Sequence, residues 1–355
     1  MRKLFFVTIA TGLFFTACSK TESIVPNDGI PVVQAEATFP VLKAEDITYA
    51  DGLAHNTTST ASFAVPLKLD IYYPDNHSTN RPVFMFIHGG GFTGGIKHKP
   101  EIVDMAHYYA SRGWFFVSVD YRTTEELGTI QGLSREEVFT FYKGIAPHQW
   151  IDTAMQGATT PKQFQQSIAM YTAQRDAKAA LRWIVANSNT YNINTDYITV
   201  GGASAGAITT VALGISKQED FRDEIPVADD PTLFTTNLDQ TFRVRSMVYF
   251  WGSNIKLDLF EKVYNLKQYD RYDSDDPELF MGHGEAYDPV TPYQEAVELQ
   301  GIYDSLGVHS ELVPLLLPNG EAAGHGAWNA VVEGKGLFEL SFDFVVDRQR
   351  LTVTE

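Results

Sequence analysis

The stretch "TVGGASAGAITT" (residues 199–210) sets one serine, Ser204, among glycines and alanines. It follows "DYITVGG" (196–202), a β-branched run that reads as a strand, and opens "AGAITTVALGI" (205–215), which reads as a helix of small residues. Gly202-Ala203-Ser204-Ala205-Gly206 therefore has the pattern G-x-S-x-G between a strand and a helix. Such a turn is tight and strained. Bulky side chains two positions either side of the serine would meet neighbouring backbone. Small residues let the turn close, and the turn lifts the Ser204 hydroxyl above the end of the sheet. The pentapeptide alone arises by chance in many chains; the strand before it and the helix after it supply the context that gives it chemical weight.

Outward from this turn the sequence alternates strand and helix. "PLKLDIYYP" (66–74) alternates apolar and polar residues as a half-exposed strand does, whereas "PVFMFIH" (82–88) and "WFFVSVDY" (114–121) are continuous apolar runs suited to strands buried on both faces. "RVRSMVYFWGS" (243–253), "PELFMGHG" (277–284) and "SELVPLLL" (310–317) read as further strands. Helical spacing marks 101–113, ending at Gly113 as a C-cap, and 163–188, with room for one break. Residues 292–307 form an amphipathic helix, and 326–349 close the chain as helix. The expected fold class is α/β: a mostly parallel central sheet with helices on both faces, and an antiparallel edge from the leading segments. Two stretches break the alternation. Residues 122–162 are far too long for an ordinary connection, which predicts a lid-like insertion with helices of its own. Residues 217–242 are the second.

The chain has 355 residues, 44% apolar and 20% charged, the balance of a folded globular protein. Its net charge of −17 opposes binding to nucleic acid, whose phosphates would repel it. The N-terminus "MRKLFFVTIATGLFFTACSK" has a basic start, a short apolar run and small residues before a cut, which reads as a secretory signal over 1–17. Cys18, the only cysteine, lies where a bacterial lipoprotein signal places its lipidated residue, although Phe15 stands where leucine is usual. A plain secretory signal with an incidental cysteine is the alternative. The expected localisation is exported and membrane-anchored through a lipid, on the periplasmic or cell-surface side of a bacterial envelope. Residues 18–40 carry three prolines and read as a tether to a domain at 41–355, unless Ile30 to Val33 supply an N-terminal strand packed on the body.

A second motif lies upstream. "FIHGGGF" (86–92) follows an apolar strand, and its glycines leave the amides of Gly90 and Gly91 free to point at an oxygen. With the amide of Ala205, they make three donors for the negative oxygen that develops when an ester carbonyl is attacked, each worth about 3–4 kcal/mol in such a site. The run lacks the spacing of a dinucleotide loop and the Lys-Ser/Thr of a phosphate loop. His88 reads as holding this loop by hydrogen bonds.

"HGGGF" followed by "GASAG" resembles the α/β-hydrolase superfamily, in particular its carboxylesterases and hormone-sensitive-lipase-like esterases, over nearly the whole chain after residue 60. The resemblance implies an α/β-hydrolase fold and a serine nucleophile, followed in chain order by an acid and a histidine. His325, in the glycine-flanked "EAAGHGAW", stands where the family has its base. His283 is second, and His309 sits in a short helix-to-strand link. "HGEAYDPVTPY" (283–293) is similar to the family's H-G-x-x-D-x-x-V-P but carries one extra residue before the aspartate. The "DPVTPY" match gives Asp288 as the acid, and counting from the H-G gives Tyr287, so Glu285 is kept as a fallback. The partners implied are small-molecule or polysaccharide-linked esters.

Asp176, on a helix ahead of the nucleophile, reads as structural, capping or pairing with Arg175 or Arg182. Phe250 and Trp251 line the acyl pocket or pack in the core. No cofactor is expected, and metal binding has no support: "HKP" (98–100) is too short for a site and no H-E-x-x-H occurs. Two alternatives remain. One is a peptidase or amidase on the same fold, which usually carries a large extra domain. The other is a binding protein that has lost catalysis, although candidates for all three catalytic groups are retained.

Overall fold

The structure is a computed structural model that describes residues 29–55, 61–128, 132–254, 257, 259, 262–263 and 271–355. The secretory signal and Cys18 lie outside the described residues.

The strands are β1 (Val32–Gln34), β2 (Val41–Ala54), β3 (Phe63–Pro74), β4 (Arg81–Ile87), β5 (Phe115–Val119), β6 (Ile193–Ala203), β7 (Val244–Phe250), β8 (Glu278–Gly284), β9 (Ser310–Leu315), β10 (Val331–Val332), β11 (Lys335–Gly336) and β12 (Thr352–Thr354). The helices are α1 (Pro100–Ala110), α2 (Thr124–Leu127), α3 (Arg135–Phe141), α4 (His148–Gly157), α5 (Pro161–Ala186), α6 (Ser188–Tyr191), α7 (Ala205–Gly214), α8 (Tyr293–Leu306) and α9 (Leu337–Gln349). Eight strands form one sheet in the order β2-β3-β5-β4-β6-β7-β8-β9. β2 and β3 run antiparallel at one edge, and every pairing from β5 to β9 is parallel. β6 lies between β4 and β7, so its C-terminal end opens at the middle of the sheet. Crevices beyond the carboxyl ends of parallel strands are where such sheets bind ligands.

The all-apolar runs read as doubly buried strands are so: every residue of β4 and β5 is buried. One face packs against α5, α7 and α8 through residues such as Ile168, Ile208 and Leu299. The other packs α1 and α9 through Met105, Tyr109, Phe342 and Val345. Among the described residues of 122–162 lie the helices α2 to α4 and the start of α5, and α4 docks on α5 through Trp150, whose Nε1 donates to Ser167 O at 2.8 Å.

Several expectations are corrected. The 18–40 tether does not hold for its second half: β1 pairs parallel with β12, and Val33 is fully buried. Pro31 and Val33 are buried while Ile30 and Val32 stay exposed, and the pairing of β1 makes the packed-strand alternative prevail. α5 runs unbroken over 26 residues. α1 stops at Ala110, short of Gly113. Residues 326–349 are not all helix, because a β10–β11 hairpin precedes α9. Asp176 is structural, but its partner is Arg122. Both side chains are buried, with Arg122 Nη2 2.6 Å from Asp176 Oδ1 and Arg122 Nε 2.9 Å from Oδ2. This two-pronged pair ties the start of the 122–162 segment to α5, and a further bond from Arg122 Nη1 to Leu53 O at 2.8 Å adds β2.

Candidate active site

Ser204 sits at the join of β6 and α7 with φ 54° and ψ −118°. A non-glycine residue there is strained, by about 1–3 kcal/mol, and persists only where its surroundings over-determine it. They do so here. The Ser204 amide donates to Phe250 O at 2.9 Å, and its carbonyl accepts from the Ile208 amide at 3.1 Å. A Cβ at Gly202 would lie 2.3 Å from the Gly206 carbonyl, and one at Gly206 would lie 2.0 Å from Ile87 O. The glycines of the pentapeptide are therefore required by backbone contact between β6, α7 and the end of β4.

The loop after β4 lies beside this turn. Gly90 has φ 139°, and a Cβ there would fall 1.9 Å from Gly94 O, so the loop folds back on itself too tightly for a side chain. The amides of Gly90, Gly91 and Ala205 donate to no group among the described residues. Gly91 and Ala205 line the same cavity as Ser204. His88 holds the loop as expected: its Nδ1 donates to Gly89 O at 2.8 Å, and its ring stacks on Tyr121. Its Nε2 is 3.3 Å from Asp120 Oδ1, and Asp120 in turn accepts from the Lys97 amide at 2.6 Å. Two braces not foreseen from sequence come from the other side. Gln166 Nε2 on α5 donates to Gly91 O at 2.7 Å, and the Thr124 amide donates to Phe92 O at 2.9 Å.

The other candidate groups converge on Ser204. His325 Nε2 lies 3.1 Å from Ser204 Oγ, and His325 Nδ1 lies 2.8 Å from Asp288 Oδ2. Asp288 is 6% exposed, whereas Tyr287 is 91% exposed. The extra residue of the 283–288 segment is thus accommodated by turning Tyr287 out to solvent while Asp288 turns in. Burial pushes the Asp288 carboxyl up, but hydrogen bonds outweigh it and hold the group below its usual range. They come from Thr291 Oγ1 (2.7 Å), the Val290 amide (2.8 Å), the Thr291 amide (3.2 Å) and His325. An ionised carboxylate only accepts, so His325 carries its proton on Nδ1 and presents a bare Nε2 to the serine.

Glu285 is exposed and has no bond to His325. His283 is buried at the end of β8, where its Nδ1 donates to Gly284 O at 3.0 Å, and desolvation pushes its pKa down. His309 stacks on Phe344 at the far end of the sheet from Ser204. Phe250 and Trp251 are core: they pack with Phe86 and Trp328 against the α1–α9 face and do not line the cavity.

The cavity above Ser204 measures about 560 Å³. Its floor is Gly91 and Ala205, and its far wall is α4 and the first half of α5, including Gln166 and Met170. A larger groove of about 700 Å³ against α9 and β12 holds none of these groups.

A parallel sheet with a serine on a strained turn at the end of its central strand is the α/β-hydrolase fold. The BD-FAE family model matches residues 69–129 and 163–271, a span that includes Ser204 and omits α3 and α4. Carboxylesterase 1C of Rattus norvegicus is 27% identical over 225 residues, which cover 61% of this chain and 34% of that protein. The chain thus spans about a third of the length of that relative. Among solved structures, the propionate-bound thermophilic esterase Est2 of Thermogutta terrifontis superposes with a TM-score of 0.56 at 18% identity. That match covers 88% of this chain and 97% of the other. Thermogutta terrifontis esterase 2 phosphoramylated by tabun gives 0.53 at 18% identity, over 86% and 94%. These likenesses speak for the fold.

Proposed function

We propose that this protein is a serine hydrolase of carboxylic esters. The observation that carries the reading is the unbroken line of contacts from Ser204 Oγ through His325 to Asp288, at 3.1 and 2.8 Å. Ser204 Oγ attacks the ester carbonyl as its proton passes to His325 Nε2. The imidazolium that forms is stabilised across Nδ1–H by Asp288. The developing oxyanion is received by the amides of Gly90, Gly91 and Ala205. The tetrahedral species collapses as His325 returns the proton to the leaving alcohol, giving an acyl-serine. Water then repeats the sequence with His325 as base, and the half-exposed imidazole gives it access.

The proposed substrates are small-molecule or polysaccharide-linked esters that enter the cavity above Ser204. Before its matches end at residue 271, the family model also carries the esterase likeness across the nucleophile. Peptide or amide hydrolysis at the same site has no separate support.

The test is Ser204→Ala on the full chain. Turnover of p-nitrophenyl acetate and labelling by a fluorophosphonate probe should both vanish while the thermal melt is unchanged. Residual turnover near wild type would end the proposal. Screening acyl length beside acetylated xylan and feruloyl esters ranks the substrates. We further propose that the protein is exported and held at a bacterial envelope by a lipid on Cys18, on the strength of the signal-like residues 1–17.

A further inference from the structure

We infer that the hydroxyl of Thr291 is a positioning group of the proton relay, a role that rests on the serine-esterase reading above. Thr291 is 1% exposed. Its Oγ1 lies 2.7 Å from Asp288 Oδ2 and 2.9 Å from His325 Nδ1, and those two atoms are 2.8 Å apart. Three polar atoms thus close a triangle, and its protons can be assigned. The carboxylate accepts only, so Nδ1 carries a hydrogen. With Nδ1 protonated, the Thr291 hydroxyl hydrogen points to Asp288 Oδ2. The hydroxyl lone pair is then left facing Nδ1–H, which Thr291 and Asp288 share.

Two consequences follow for the relay. The Nδ1 hydrogen has two acceptors, which favours the tautomer whose Nε2 is bare and ready for the serine proton. When Nε2 takes that proton, the positive ring is met by the carboxylate and by an oxygen dipole already oriented toward it, with no reorganisation. Thr291 also holds the carboxylate itself. Its amide donates to Oδ1 at 3.2 Å while its hydroxyl donates to Oδ2, so one residue grips both oxygens of Asp288. Rotation of the carboxylate away from His325 would break both bonds. No proton leaves the triangle in the reaction. Thr291 neither accepts the serine proton nor touches the reacting carbonyl; it acts through His325 and Asp288.

The test uses Thr291→Val, Thr291→Ser and Thr291→Ala in the full chain, with p-nitrophenyl acetate kinetics, fluorophosphonate labelling rates and thermal melts. Valine keeps the shape and loses the hydroxyl, whereas serine keeps the hydroxyl and loses the methyl. The expected result is that Thr291→Ser stays within about threefold of wild-type kcat. Thr291→Val and Thr291→Ala should lose about 10- to 100-fold in kcat and in labelling rate with KM nearly constant, the loss expected when a hydrogen bond to a charged group disappears. The inference is overturned if Thr291→Val keeps wild-type kcat, if Thr291→Ser falls as far as Thr291→Ala, or if the loss lies in KM alone. Should the valine variant fail to fold, the serine–alanine comparison decides. A wild-type protein that neither turns over nor labels would remove the esterase reading itself, whereas an active wild type matched by an equally active Thr291→Val removes only the role of Thr291.

Discussion

Replacing Asp288 by asparagine tests the orientation of the relay because the structure dictates how the new amide must sit. Asp288 Oδ1 accepts from two main-chain amides, Val290 at 2.8 Å and Thr291 at 3.2 Å. An NH2 group placed there would oppose two donors, so the asparagine oxygen takes that position. The NH2 then falls where Oδ2 stood, 2.8 Å from His325 Nδ1. A donor facing Nδ1 forces the ring to accept there and to carry its hydrogen on Nε2. That tautomer cannot take the proton of Ser204. The Thr291 hydroxyl, which donates to Oδ2, must reverse and accept from the NH2; the shape of the side chain is otherwise kept, so the defect is one of tautomer and not of fold. A loss of about 10⁴-fold in kcat is expected, about 5–6 kcal/mol of transition-state stabilisation, as in other triads locked in the wrong tautomer. Initial rates on p-nitrophenyl acetate, beside circular dichroism to verify the fold, measure it. Glu285→Gln in parallel should stay within about twofold, because an exposed side chain away from His325 contributes nothing to the relay. If a folded Asp288→Asn retains activity within tenfold of wild type, or if Glu285→Gln loses more than Asp288→Asn, the assignment of the acid is refuted.

Three further variants test the reading. Gln166→Ala should lower kcat by about 5- to 10-fold, because one hydrogen bond bracing the Gly91 carbonyl disappears while the Thr124–Phe92 brace remains. Gln166→Glu should cost more, since a carboxylate facing that carbonyl repels it; wild-type kinetics in the glutamate variant would show that the brace has no part in placing the donors. For the proposed anchor, Cys18→Ala expressed in a bacterium with its leader intact should move the protein from the membrane fraction to the soluble fraction and abolish palmitate labelling, and unchanged membrane recovery would remove the lipid proposal.

Much of the fold was legible because burial leaves a mark along the chain. The continuous apolar runs at 82–88 and 114–121 can satisfy their side chains only inside a sheet covered on both faces, and they form β4 and β5. The G-x-S-x-G turn was legible for a related reason: contacts of 2.0–2.3 Å between backbone and a hypothetical Cβ exclude all but glycine at 202 and 206, so sterics are written into residue identity. What failed lacked such local marks. Residues 30–34 looked like a tether because their partner, β12, is more than three hundred residues away and is short and exposed. Asp176 offered two arginines nearby in sequence, yet its partner Arg122 comes from another strand's end, 54 residues upstream. Phe250 and Trp251 looked equally suited to pocket and core, and only the path of the chain beyond β7 turned them toward Trp328.

The sequence by itself determined the alternating α/β architecture, the strained serine turn and the glycine-rich loop after β4, because each depends on residues close together in the chain. Which carboxylate faces His325, that Thr291 joins them, and that Gln166 reaches the glycine loop were decided only by tertiary structure. Those relations link residues 34 to 75 positions apart, and no local preference records a distance of 3 Å between groups that meet only when the sheet is assembled.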